Sequence, residues 1–303
     1  MTWNTILVPH DFSASANHAL AIARDEAKLH KAKIVLFHVI DLPHQIGPDA
    51  VIVPDATGAP ISVRDYAVSS AENHLKDITA RLAKDGMSVT CFIRVGSPVE
   101  EITRFVDENA VDLVVMGTHG RTGLKRILLG SVAEYVVRHA PCSVLATREH
   151  GEPGQFQNLL VPVDFSPSSR HAVDVAAQLV QPGGAGITLL HVIELPVTYS
   201  GEPHMAAFMT DLDKRATFML EDWASVLKTK VSVPVVTRSR IGRPGGQTLA
   251  VLDEDPTFDL VVMGSHGRTG LGRIFLGSVA EKVVRHAPCP VLVARTRPTP
   301  AAS

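Results

Sequence analysis

Asp112 to Arg148 reads DLVVMGTHGRTGLKRILLGSVAEYVVRHAPCSVLATR, and the segment returns from Asp259 to Arg295 as DLVVMGSHGRTGLGRIFLGSVAEKVVRHAPCPVLVAR. Each copy begins with an apolar run typical of a buried strand, opens into a glycine-rich loop and closes at Gly-Ser before a helix-like segment. The first N–H groups of a helix have no partner within it, so this order of elements favours an anion-binding seat. The copies differ at only seven aligned pairs, namely Thr118/Ser265, Lys125/Gly272, Leu128/Phe275, Tyr135/Lys282, Ser143/Pro290, Ala146/Val293 and Thr147/Ala294.

The repeat extends over a whole domain. ILVPHDFS at residues 6–13 returns as LLVPVDFS at residues 159–166, in the same position relative to the long repeat. We therefore predict a first domain at residues 1–148, a polar linker at 149–157, a second domain at 158–297 and a disordered tail at 298–303.

Strand-like and helix-like segments alternate in each copy, which predicts an α/β fold with a parallel sheet and helices on both faces. In the first copy the predicted strands are 5–8, 33–39, 88–95, 113–116 and 143–147, and the predicted helices are 15–29, 63–84, 98–108 and 131–139. Right-handed crossovers favour two tandem open sheets of five strands, each in the order 3-2-1-4-5. The loop at residues 41–62 either covers the first site or serves a partner.

Such a sheet has its crevice between strands one and four, at their carboxyl ends. Asp11 and Asp164 follow strand one, whereas Gly117 and Gly264 follow strand four, so the two most repeated motifs should meet in each domain. The aspartates could instead serve only as turn or capping residues.

The loop glycines are spaced as G-x2-G-x9-G-S in both copies, and glycine allows a ligand to approach the backbone. A loop that needs glycine only for its own turns is the alternative. Arg121 and Arg268 could reach phosphate or remain solvated. His119 and His266 could assist proton transfer, although a loop-bonding role is favoured.

Bulk composition excludes several classes of protein. The chain has 303 residues, a formal net charge of −2 and a pI near 6.7, so no basic face for nucleic acid is expected. We find no signal peptide pattern and no membrane-spanning apolar run. Three cysteines without a CxxC pattern argue against a disulfide framework or zinc site, and Cys142 and Cys289 are predicted to be buried. These features predict a cytoplasmic protein.

The combination of I-L-V-P-x-D-F-S at a domain start with G-2x-G-9x-G-S after a strand closely resembles the universal stress protein family, over nearly the whole chain. The resemblance implies a Rossmann-like fold similar to that of the adenine nucleotide alpha hydrolases. It also implies ATP as ligand, with Mg²⁺ or Mn²⁺ bridging the phosphates.

Matching the family motif residue by residue implies one binding site in each domain. The first would use Pro9, Asp11, Val39, Met116, Gly117, Gly120, Gly130, Ser131 and Val132. The second would use Pro162, Asp164, Val192, Met263, Gly264, Gly267, Gly277, Ser278 and Val279. Val163 stands where the first copy has His10, which puts equal affinity of the two sites in doubt.

The preferred hypothesis is an ATP-binding stress-response protein whose nucleotide state modulates conformation or partner choice, without catalytic residues. A slow ATPase and a tandem partner-binding protein with empty sites are the alternatives, since efficient phosphoryl transfer needs positioned charge that the loops do not evidently supply. Strand five of each domain is apolar, at residues 144–146 and 291–293. We expect these edges to pair into an intrachain pseudo-dimer, and assembly into a homodimer is left open.

Overall fold

The computed structural model describes residues 3–42, 50–53, 58–118, 129–148, 156–194, 205–267 and 276–296. The first half consists of β1 (Thr5–Pro9), α1 (Ala14–His30), β2 (Lys33–Ile40), β3 (Val51–Ile52), β4 (Ile61–Ser62), α2 (Val63–Lys84), β5 (Val89–Val95), α3 (Pro98–Glu108), β6 (Leu113–Gly117), α4 (Ser131–His139) and β7 (Ser143–Thr147). The second half consists of β8 (Asn158–Val163), α5 (Pro167–Leu179), β9 (Gly186–Ile193), α6 (Met205–Lys228), β10 (Val235–Ile241), α7 (Pro244–Glu254), β11 (Leu260–Gly264), α8 (Ser278–His286) and β12 (Val291–Ala294).

Local sequence explains where many of these elements begin and end. Ser13, Ser62 and Ser166 cap α1, α2 and α5, because each hydroxyl accepts a hydrogen bond from a backbone N–H in the first helical turn. Gly86, with φ of 76°, follows the end of α2 in the left-handed region that glycine tolerates. The predicted loop at residues 41–62 differs from the structure, since β3 and β4 pair within it as a short antiparallel hairpin.

Ten strands form a single sheet in the order β10-β9-β8-β11-β12-β7-β6-β1-β2-β5. Each half contributes five parallel strands in the predicted order 3-2-1-4-5. The halves join where β12 pairs antiparallel with β7, with Leu292 opposite Leu145 at the centre. This pairing confirms the expected meeting of the two apolar edges inside one chain. Because the join is antiparallel, the crevices of the two halves open at opposite ends of the sheet.

Two hydrophobic cores cover the two faces of the sheet. Alternate residues of each strand enter different cores, as strand geometry requires. One core packs the sheet against α1, α2, α5 and α6, and includes Phe156 from the predicted linker. The other packs it against α3, α4, α7 and α8, and includes Cys142 and Cys289. Both cores contain residues of both halves, so the sheet is buried continuously across the join.

Two arginines strengthen the join by reaching across it. The guanidinium of Arg295, which follows β12, donates to the carbonyl oxygens of Ala140 at 2.7 Å and Arg138 at 2.9 Å, at the end of α4. Arg148, which follows β7, donates to the carbonyl oxygens of Val284 and Arg285 at the end of α8. A cation at a helix C-terminus satisfies free carbonyls and opposes the helix dipole, so each half stabilises the last helix of the other.

An ion-pair ring lies beside these arginines. Arg138 and Arg285 each contact both carboxylates of the ring, Glu134 and Glu281, at nitrogen–oxygen distances of 3.1 to 3.4 Å. Each of the four side chains is about one third exposed, so solvent screens the attraction, and the ring contributes less than the buried bonds of Arg295.

Candidate functional site

A cavity of about 930 Å³ lies in the second half, at the carboxyl ends of β8, β9 and β11. This position is the crevice where the winding of the sheet reverses. All nine residues predicted for the second site line it, namely Pro162, Asp164, Val192, Met263, Gly264, Gly267, Gly277, Ser278 and Val279. The sequence motifs therefore converge on one hollow, although they come from four separate stretches of chain.

One end of the cavity is the start of α8. Gly277 is the N-cap residue, with φ of −64° and ψ of 148°, and it supplies no side-chain hydrogen bond to the helix. The first intrahelical bond runs from the N–H of Glu281 to the carbonyl oxygen of Gly277. The N–H groups of Ser278, Val279 and Ala280 thus have no helical partner, and these three residues line the cavity. An anion bound there would gain these donors and the positive end of the helix dipole.

The loop after β11 is held against this helix start. The N–H of Gly277 donates to the carbonyl oxygen of Ser265 at 2.8 Å. A Cβ built at Gly277 would lie 3.4 Å from the same oxygen and 3.6 Å from Cα of His266. The backbone at residues 265–267 and the N-terminus of α8 therefore form one end of the cavity together.

Asp164 was considered from the sequence both as a turn residue and as a site residue, and its position is compatible with both roles. Its Oδ1 accepts a hydrogen bond from the N–H of Ser166 at 3.0 Å, which closes the turn before α5. A Cβ built at Gly267 would lie only 2.8 Å from Oδ2 of Asp164, so a larger residue there would have to displace this carboxylate. Asp11 makes the same turn in the first half, accepting from the N–H of Ser13 at 3.1 Å.

Gly264 has a packing role that the sequence did not reveal. A Cβ built there would lie 2.5 Å from Oγ and 2.8 Å from the backbone carbon of Ser168, in the first turn of α5. In the first half a Cβ at Gly117 would lie 2.2 Å from Oγ of Ser15. Both glycines let the helix after strand one pack directly on the end of strand four. Gly264 also lines the cavity, so one residue serves both the packing and the crevice.

Histidines near the ends of β2 and β9 support the strand-one loops. Nδ1 of His38 lies 2.6 Å from the carbonyl oxygen of His10, and Nδ1 of His191 lies 2.7 Å from that of Val163. Two residues further along each loop, Phe12 and Phe165 have φ of 66° and 64° and pack against these two rings at 4.4 and 4.5 Å between centroids. Such left-handed phenylalanines are strained, and the ring contacts hold them.

The structure places eight of the nine predicted first-site residues at the matching positions. Pro9 ends β1 and Asp11 follows it, Val39 lies near the end of β2, and Met116 and Gly117 end β6. The remaining three are at the start of α4, namely Gly130, Ser131 and Val132. The N–H of Gly130 donates to the carbonyl oxygen of Thr118 at 2.7 Å. Gly120, His119, Arg121 and Arg268 lie outside the described residues.

Several residues line the cavity that sequence reasoning did not assign. They are Glu194 after β9, Leu212, Arg215, Ala216 and Met219 on α6, and Pro244 and Thr248 on α7. Glu194 reaches the crevice at the end of its strand, whereas the packing of α6 and α7 against the sheet brings the other side chains there, and no local motif marks them. Arg215 is paired with Asp211 at 2.8 Å and is mostly exposed at the cavity mouth.

A family model described as the universal stress protein family matches residues 2–148 and again residues 155–295. The chain belongs to this family. The two matches show a tandem arrangement of two universal stress protein domains, and the crevice described above lies in the second of them.

Individual relatives agree with this assignment. A universal stress protein of Mycolicibacterium smegmatis is 28% identical over 297 residues, covering 96% of this chain and 97% of the relative. One from Methanocaldococcus jannaschii is 33% identical over 154 residues, covering 48% of this chain and 95% of the relative. The crystal structure of a universal stress protein from Archaeoglobus fulgidus shares the fold, with a TM-score of 0.68 at 24% identity, covering 97% of this chain and 99% of that one.

Among the residues that the structure describes, no helix is both long and apolar enough to cross a membrane. Within the same residues, no group of three or more histidine, cysteine, aspartate or glutamate side chains is arranged to hold a metal ion.

Proposed function

We propose that this universal stress protein binds ATP in the crevice of each half, and that the bound nucleotide sets its conformation or its choice of partner. Each of the two domains, residues 1–148 and 158–297, would carry one site. The observation that carries the proposal is the cavity in the second half, which ends on the uncapped start of α8.

The phosphate end of the site is proposed from the backbone. Three N–H groups at the start of α8 have no helical partners and belong to residues that line the cavity, and the loop at residues 264–267 runs beside them. Phosphate oxygens are suited to such donors, because the helix dipole favours negative charge and no side-chain cap competes for them. Ser278 adds a hydroxyl donor at the same end.

The base and ribose are proposed to occupy the other end. Pro162, Val192 and Met263 give that part of the cavity apolar walls, which suit the flat faces of adenine. Asp164 lies between this part and the loop, and a carboxylate there can accept hydrogen bonds from ribose hydroxyls. A volume of about 930 Å³ lies within the usual range of small-molecule sites.

A divalent cation fits this arrangement only as a partner of the phosphates. The described residues offer no side-chain cluster for a metal, so Mg²⁺ or Mn²⁺ would take most of its ligands from phosphate oxygens and water. The ion would offset phosphate charge at a helix start that offers partial positive charge but, in the described residues lining the cavity, no lysine.

The direct test is mass spectrometry of small molecules released from the purified full-length protein. We expect adenine nucleotide at close to two per chain if both sites fill, and close to one if the sites are unequal. Incubation for hours with ATP and Mg²⁺ then separates binding from turnover, because a binding protein returns the nucleotide unchanged. Protein that releases no nucleotide and takes up none when ATP is added would refute the proposal.

A double substitution tests the loop assignment. Valine at Gly130 would press on its loop, since a Cβ there lies 3.1 Å from the carbonyl oxygen of Thr118. At Gly277 a Cβ is in ordinary contact with the carbonyl oxygen of Ser265 at 3.4 Å, and the methyl groups of valine extend beyond it. We expect Gly130→Val with Gly277→Val to lose nucleotide while retaining the far-ultraviolet circular dichroism of the parent. Gly246→Ala is the matched control, because its Cβ would only approach the end of Lys282, at 3.8 Å. Equal nucleotide content in both variants would exclude these loops from the site.

A further inference from the structure

The hydroxyl of Ser265 and the ring of its neighbour His266 form a contact within the second site. Oγ of Ser265 lies 2.5 Å from Nδ1 of His266. Ser265 is only 1% exposed, so water does not compete for its hydroxyl. Both residues line the cavity. One nitrogen of the imidazole, Nδ1, is thereby engaged within the protein.

The position of His266 places it at the helix end of the cavity. Its Cα lies 3.6 Å from where a Cβ of Gly277 would be, next to the uncapped start of α8. The apolar walls of Pro162 and Val192 belong to β8 and β9, and Met263 lies on β11 before the loop. A side chain at residue 266 is therefore suited to an anion at the start of α8.

In the first half the corresponding hydroxyl reaches the neighbouring strand. Thr118 takes the place of Ser265, and its Oγ1 donates to the carbonyl oxygen of Thr147 at 3.1 Å. This bond anchors the hydroxyl of Thr118 to β7, and the hydroxyl of Ser265 contacts a ring in the cavity.

Imidazole chemistry gives this contact a consequence. When the serine hydroxyl donates to Nδ1, the proton of the neutral ring is on Nε2, which becomes a hydrogen-bond donor. A protonated ring also has a donor at Nε2, with Nδ1 then donating to the serine oxygen. Both forms suit a phosphate oxygen, because a phosphate accepts and does not need to donate.

We propose that His266 is a ligand of the phosphate chain in the second site and that Ser265 is the residue that positions its ring. This inference rests on the proposed binding of ATP and adds a side-chain donor to the backbone donors of α8. It also gives the second site a contact that depends on the number of phosphates, since adenosine without phosphate has nothing for Nε2 to bind.

Two substitutions of His266 separate a ligand from a packing residue. The amide nitrogen of glutamine approximates the place of Nε2, whereas that of asparagine approximates Nδ1. In full-length protein with Gly130→Val to silence the first site, we expect His266→Asn to weaken ATP binding roughly 10-fold or more, as for loss of a hydrogen bond to a charged group. His266→Gln should stay within about threefold of the parent, as expected when the donor is restored.

The ligand series and the serine variants complete the calorimetric test. We expect AMP, with a single phosphate, to lose less affinity than ATP in His266→Asn, and adenosine to lose none. Ser265→Ala should weaken ATP binding about threefold, as for one neutral hydrogen bond. Thr118→Ala is its matched control and should leave the second site unchanged. Equal losses for adenosine and ATP would show a structural role only and overturn the inference.

Nuclear magnetic resonance of the imidazole nitrogens provides a reading that needs no weakened variant. His266→Asn identifies the signals of His266 by their loss, and addition of ATP to the parent protein should move its Nε2 signal. If His266→Asn fails to fold, His266→Gln provides the identification by the same loss. ATP that binds with this signal unmoved would overturn the role of His266 and leave the proposed function intact. ATP that does not bind at all would overturn both.

Discussion

The two halves repeat nearly the same glycine loop, yet they differ in polarity at the crevice floor. His10 is 3% exposed, its Nδ1 accepts a hydrogen bond from the N–H of Phe12, and burial lowers its pKa to about 4. Val163, also buried, stands there in the second half and contributes no titratable group. The comparison teaches that the backbone of the crevice is shared while its interior chemistry is specific to each half.

The helices that follow strand one differ in the same way. Glu26 on α1 is buried with its Oε2 only 3.6 Å from Nε2 of His30, too long for a hydrogen bond. Burial raises the pKa of Glu26, and the neighbouring His30 opposes that rise. The second half has Leu179 at the position of Glu26, 1% exposed in the hydrophobic core. A buried polar pair in one half is thus replaced by ordinary apolar packing in the other.

Substitution of the two arginines at the join should give the largest difference in unfolding free energy between the halves. Arg295 is 7% exposed with two bonds to helix carbonyls, and burial lowers its pKa to about 10. Arg148 is only partly buried. We expect Arg295→Gln to lower the free energy of unfolding by about 3 kcal/mol and Arg148→Gln by about 1 kcal/mol, because a buried carbonyl that loses its partner is costly. Urea denaturation measures both, and equal losses would show that the join is symmetric in energy.

The packing glycines come next and should affect both halves. Alanine at Gly264 would meet backbone atoms of Ser168 at 2.8 and 2.9 Å, and alanine at Gly117 would meet the backbone carbon of Ser15 at 3.0 Å. We expect each substitution to lower the unfolding free energy by about 2 kcal/mol, through displacement of the helix. Gly277→Ala is the control and should cost under about 1 kcal/mol, since its φ is −64° and its contacts are ordinary. If thermal denaturation ranks Gly277→Ala lowest, these packing roles are wrong.

His10→Val tests the polarity of the crevice floor by importing the residue of the second half. A histidine whose folded pKa is lowered to about 4 takes up its proton more readily when unfolded, so the parent loses stability as pH falls below about 6.5. We subtract the free energy of unfolding of the parent from that of the variant at each pH. This difference should be about 2 kcal/mol more favourable to the variant at pH 4.5 than at pH 7. Denaturation at both pH values measures this gain. A difference that does not change with pH would contradict the lowered pKa.

Glu26→Leu should have the smallest effect and makes α1 resemble α5. A carboxyl whose folded pKa is raised destabilises the fold as pH rises above its ordinary value, because the charged form is poorly solvated. We expect the variant to be about 1 kcal/mol more stable than the parent at pH 7, with the advantage shrinking below pH 4.5. Glu26→Gln provides the control for size. A less stable Glu26→Leu would show that the contact with His30 outweighs the cost of burial.

Much of the fold was predictable because its signals are local. The bounds of α2, α3, α4 and β7 agree with those predicted from apolar spacing, proline and glycine. The strand order followed from handedness and connectivity alone. The hairpin of β3 and β4 was missed because each of its strands has two residues, too few to show a periodic pattern.

The parts of the candidate site that are formed by the backbone of the glycine loops could be predicted from the sequence. The parts formed by side chains of distant helices could not. The glycine spacing pointed to the loops, but the reason for Gly264 lies in its contact with Ser168 of another element. Likewise, α6 contributes Arg215 and Met219 to the cavity without any motif. Residues far apart in sequence meet only after the sheet is packed, so a linear pattern contains no record of them.

The amino-acid order alone specifies two copies of an α/β domain and a crevice in each, because hydrophobic period, capping residues and glycines act over a few neighbours. Only the tertiary structure decides which N–H groups at the start of α8 have no helical partner and which arginine bonds to the end of which helix. It also decides that His10 and Glu26 are buried. Those properties depend on distance and exclusion of water, which arise when separate segments pack together.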